Sequence, residues 1–65
     1  MRNSIRVHLL DNTSPTLYPV ANALSAIYYA LSISRKEMVD CVSVLENWTE
    51  VQCYQSGEPT MNCTE

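Results

Sequence analysis

Ser4-Ile5-Arg6-Val7-His8-Leu9 alternates polar and apolar residues, with β-branched side chains at Ile5 and Val7. This is the period-two pattern of a half-buried strand, predicted over residues 4–10. Asp11-Asn12-Thr13-Ser14-Pro15 ends it, because Asx and Ser side chains bond their own backbone and proline fixes φ. The next stretch, 12 to 34, contains no Asp, Glu, Lys, Arg or His. Within it Val20, Leu24, Ile27 and Leu31 fall at helical spacing, and Ala23, Ala26 and Ala30 form a second, smaller-sided stripe. Pro19 suits a first helical turn and not a helix interior, so the helix is predicted over 19–31.

Ser34-Arg35-Lys36-Glu37 has the S-x-x-E form of a capping box and predicts a second helix over 35–48. Met38, Cys41, Val42, Leu45 and Trp48 would line its apolar face. Residues 50–64 alternate again around Ser56-Gly57-Glu58-Pro59, which reads as a C-terminal hairpin. The expected fold is therefore one small α+β domain in the order β-α-α-β-β, with two packed helices.

Composition sharpens this picture. A chain of 65 residues has a thin core, and 17 % charged residues leave it short of charged surface. An Ala stripe opposite a first apolar stripe then predicts a subunit contact at Ala23, Ala26 and Ala30, in a homodimer or higher oligomer that Ala26→Glu would split. The net charge of −3, with Arg2, Arg6, Arg35 and Lys36 as the only cations, argues against extended phosphate contacts. Two prolines, Asn22 and the Tyr28-Tyr29 pair interrupt the charge-free stretch too often for a membrane span. The opening residues do not read as a secretory leader, so the expected location is cytoplasmic, with reduced thiols and unmodified sequons at Asn12, Asn47 and Asn62.

Candidate chemistry is sparse. His8 is the single histidine and Gly57 the single glycine, so neither a catalytic set nor a phosphate loop is expected, and no cofactor. His8, Cys41, Cys53 and Cys63 are enough ligands for zinc but lack its close-paired spacing, so no metal is expected. A hairpin loop at 57–59 would place Cys53 opposite Cys63.

Ala30-Leu31-Ser32-Ile33-Ser34-Arg35-Lys36-Glu37-Met38-Val39 resembles the turn and recognition-helix start of helix-turn-helix proteins. The resemblance implies a dimeric winged DNA-binding regulator, with Arg35 and Lys36 at the major groove and the hairpin as the wing. The leading expectation is different in kind: a small acidic, homo-oligomeric interaction protein, not an enzyme. It would bind and modulate, by inhibition, another macromolecule, as short accessory or phage-encoded proteins do. Tyr18, Tyr28, Tyr29, Trp48 and Tyr54 are its contact candidates, since aromatics concentrate in binding hot spots. A sponge holding a small ligand or nucleotide between tyrosines is the third expectation.

Overall fold

The computed structural model describes residues 2–61. Strand β1 (Asn3–Leu9) and a short β2 (Thr16–Pro19) lead into a single helix, α1 (Ala23–Ile33). Strands β3 (Val39–Glu46), β4 (Thr49–Gln55) and β5 (Glu58–Thr60) follow. All pairings are antiparallel, in the order β2-β1-β3-β4-β5, and α1 packs over β1, β3 and β4. This architecture overturns the expected β-α-α-β-β arrangement: residues 35–48 form no second helix, and a five-stranded sheet takes its place.

The physical reason lies in a strand that is bulged at its start and buried on both faces. Pairing between β1 and β3 shifts after His8, so that Leu9 faces Val39 and Asp40 is the extra residue. A bulge turns a period of two into a local spacing of three. Val39 and Val42 therefore share one sheet face while mimicking a helical i, i+3 pair. From Cys41 to Leu45 every residue is buried, with Val42 and Val44 toward α1 and Cys41, Ser43 and Leu45 on the other side. A strand buried on both faces has no polar positions to reveal its period.

Ser34 does not start a helix; it ends α1. Its amide donates to the Ala30 carbonyl and its hydroxyl to that of Leu31. The same hydroxyl oxygen accepts from the Gly57 amide, and the Ser34 carbonyl accepts from the Ser56 amide, so the helix end is tied to the β4–β5 turn. The start of α1 is also displaced from its expected position. Pro19 closes the edge strand β2 opposite Ser4, where a missing N–H breaks no ladder. Asn22 is the actual cap, its side-chain oxygen accepting from the Ser25 amide at 2.8 Å.

Two-residue turns connect the last three strands. Asn47 and Trp48 have φ of 50° and 69°, and Ser56 and Gly57 have φ of 56° and 80°. Positive φ at both central residues matches the right-handed twist of the paired strands. The second turn sets Gln55 against Glu58 and Cys53 against Thr60, a different register from the expected loop at 57–59. Cys63 and the predicted return strand beyond Met61 lie outside the described residues. In the β1–β2 connection, the Asp11 carboxylate accepts from the Thr13 amide and hydroxyl, which lowers its pKa from the ordinary aspartate value.

The core sits between α1 and the sheet: Ile5, Val7, Val42, Val44 and Tyr54 meet Ala26 and Ala30, both 0 % exposed. The stripe that faces the sheet is thus the alanine stripe. Leu24, expected inside, is 77 % exposed. Small side chains at 26 and 30 let the helix backbone approach the sheet closely.

Candidate functional site

Two surfaces flank α1. On the side toward β4, Ile27 and Ala23 border a shallow groove with Val44, Val51 and Tyr54. The outward face of the helix continues it with Leu24 and Tyr28, 77 % and 65 % exposed. Leu24, Ile27 and Tyr28 stand at i, i+3 and i+4, so they share one side. Val51 is also exposed, and it occupies the place where the β3–β4 pairing slips by a residue.

The β3–β4 turn lies at the same end of the sheet as the beginning of α1. Asn47 donates its amide to the Arg2 carbonyl, and Val20 donates to the Asn3 carbonyl. Trp48, 59 % exposed, tips that turn in a left-handed conformation. A bulky side chain there is destabilising by about 1 kcal/mol relative to glycine. Asparagine followed by glycine is the favoured pair for this turn type, so the tryptophan is present despite the local backbone preference.

On the opposite flank, toward β2, α1 overhangs a groove of about 630 Å³. Ile5, Val7 and Val39 belong to its lining from the sheet, Val20 from the segment before α1 and Ile33 from the last turn of α1. Tyr18, Ser25, Tyr29 and Lys36 supply its polar groups. Tyr29 also meets Tyr28 edge to face, with ring centroids 5.5 Å apart.

The expected contact residues therefore separate. Tyr18, Tyr28, Tyr29 and Trp48 are exposed, whereas Tyr54 is 8 % exposed and belongs to the core. Of the expected oligomer stripe, Ala23 is exposed while Ala26 and Ala30 pack on the chain's own sheet and offer nothing to a second copy. Arg35 and Lys36 occupy the turn after α1, and no recognition helix follows them, so the helix-turn-helix geometry is not formed. The Arg35 side chain lies over Gly57, where even a Cβ would collide with it. Arg6 alternates with Ile5 and Val7 and so faces away from the groove that Lys36 lines.

The sheet face opposite α1 carries a polar row that needed strand pairing to be seen. His8 Nε2 is 3.3 Å from Ser43 Oγ, Ser43 Oγ is 3.9 Å from Cys53 Sγ, and the Cys53 thiol donates to Glu50 Oε2 at 2.6 Å. Cys53 is 1 % exposed, and the row ties three strands together. Among the described residues no three His, Cys, Asp or Glu side chains are placed to hold a metal ion. No described helix is long and apolar enough to cross a membrane. No protein-family model, curated protein or solved structure matches the chain.

Proposed function

We propose that this chain is a non-catalytic interaction protein that self-associates and that binds and modulates another macromolecule through the same surface. That surface is the outer side of α1, with Leu24, Ile27 and Tyr28, together with Trp48 at the adjoining end of the sheet. The observation that carries the reading is Trp48: an exposed tryptophan in a turn position that disfavours it. Conformational strain retained at the surface marks a residue that serves contact.

Three features support the reading. A cluster of exposed aliphatic and aromatic side chains, with Glu46 as the one charge in the adjoining groove among the described residues, is what binding surfaces present. Tyr and Trp are the commonest binding hot spots. Both sheet edges carry a proline, Pro19 in β2 and Pro59 in β5, which blocks growth of the sheet by edge pairing and leaves the helix side for association. The outward side chains Leu24, Ile27 and Tyr28 are apolar or neutral and need no complementary partner charge, so a second copy related by a two-fold axis satisfies them in the free protein. A macromolecular target then competes for the same side chains, which makes obstruction the natural mode of modulation.

Light scattering tests the self-association. The mass should rise with concentration from the 7.4 kDa monomer toward twice that value. Tyr28→Lys should hold it at the monomer with an unchanged far-ultraviolet circular dichroism spectrum. A wild-type chain that stays monomeric at millimolar concentration would refute self-association. The single tryptophan is a second reporter, and its fluorescence should shift to the blue as the mass rises.

Trp48→Gly separates folding from contact at that residue. It should raise stability by about 1 kcal/mol in chemical denaturation, because glycine accepts the left-handed turn freely. It should at the same time weaken association. A loss of stability would mean that the indole packs on the fold and is not held out for a partner.

A further inference from the structure

We infer that the groove between α1 and the β1–β2 side of the sheet is a binding site for a small amphipathic carboxylate, an apolar body ending in one acid group. It lies on the flank of α1 away from Ile27, so the inference does not depend on self-association.

The groove exists because of how the elements are spaced. α1 is drawn down onto β1, β3 and β4 by Ala26 and Ala30, while β2 extends the sheet beyond the helix. The volume of about 630 Å³ falls within the range of small-molecule sites. Its apolar lining, with Ile5, Val7, Val20, Ile33 and Val39, accepts a hydrocarbon or aryl body and gives it no polar partner.

Charge selects the other end of the ligand. Among the described residues no Asp or Glu lines this groove, and Lys36 is its one cationic side chain. Among the described residues Lys36 makes no ion pair, so its ammonium is available. The hydroxyls of Tyr18 and Tyr29 are donors with no protein acceptor among the described residues. One cation with neutral hydroxyl donors matches a single carboxylate, and it falls short of the several charges of a nucleotide polyphosphate. The helix start adds no phosphate seat, since the Asn22 side chain already occupies the Ser25 amide.

Decanoate, decan-1-ol and decyltrimethylammonium share one apolar body and differ in the head group, so they test the assignment. Displacement of the fluorescent anion 8-anilinonaphthalene-1-sulfonate is the readout, with each ligand kept below its micelle threshold. Decanoate should bind about fivefold tighter than decanol, the scale of one partly exposed ion pair, and the ammonium compound weakest. Lys36→Gln should erase the preference for decanoate over decanol. Arg35→Gln, at a cation outside the lining, should preserve it. Ala21→Trp, which fills the groove from its rim, should abolish decanoate binding while the far-ultraviolet spectrum stays unchanged. Equal binding of decanoate and decanol by the wild type, or a preference that survives Lys36→Gln, would overturn the proposal. So would decanoate binding that Ala21→Trp leaves intact.

Discussion

Ala26→Glu is expected to unfold the chain at room temperature. Ala26 is 0 % exposed and lies against the sheet among Ile5, Val7, Val42 and Val44. A glutamate there brings four further heavy atoms beyond Cβ into a buried position, three of them a carboxyl group with no partner. Overpacking costs about 1–3 kcal/mol and an unpaired buried polar group about as much again. A domain of this size has roughly 3–10 kcal/mol of stability in total. The expected result is loss of the cooperative thermal transition, seen by circular dichroism, and not dissociation of a folded oligomer. Ala23→Glu is the matched control, because Ala23 is exposed and sits in the first helical turn, where an acid favours the helix dipole. Its melting temperature should equal or slightly exceed that of the wild type.

The second large effect is expected at Ile5. This side chain is 2 % exposed, belongs to the core cluster and also lines the groove beneath α1. Ile5→Ala removes three carbons from a site framed by strands on both sides, which relax little. The loss should be about 3 kcal/mol, or a fall in melting temperature of roughly 15–20 °C for so small a domain. Leu24→Ala makes a comparable deletion at a position 77 % exposed and should cost less than about 0.5 kcal/mol. Denaturant titration of the pair reads the orientation of α1 directly. Equal losses at the two positions would mean that the helix presents Leu24 to the sheet.

That pair also shows where sequence reading stops. Alternation in β1 was legible because one face is lined by Ile5, Val7 and Leu9 and the other by polar residues of intermediate or full burial. The presence of a helix in the charge-free segment was legible as well, though its bounds moved to Ala23–Ile33 and its buried side was reversed. Larger side chains announce a core stripe by hydrophobicity alone. Which stripe is buried depends instead on how close the helix must lie, and that distance is a property of the sheet.

The second predicted helix failed on ambiguity of a different kind. Ser34-x-x-Glu37 satisfies a capping-box pattern, but the Ser34 hydroxyl is engaged by Leu31 and Gly57, contacts 3 and 23 residues away. Burial of every residue from Cys41 to Leu45 hid the strand's period of two and left Met38, Cys41, Val42, Leu45 and Trp48 to read as one helical face. At the candidate sites, Trp48 and the exposed tyrosines could be named from residue type. The groove joins Ile5 to Lys36 and Val39, and the polar row joins His8 to Ser43, pairings that no local window contains.

By itself the sequence determined the alternating first strand, a helix within the charge-free segment, a turn at Gly57 and the scarcity of catalytic groups, all consequences of local side-chain chemistry. Tertiary structure alone decided that residues 39–46 are a strand and that Ala26 and Ala30 face inward. It also decided that Lys36 borders an apolar groove. These are outcomes of strand pairing between β1 and β3 and of the close approach of one helix to the resulting sheet, and they depend on partners distant in the chain.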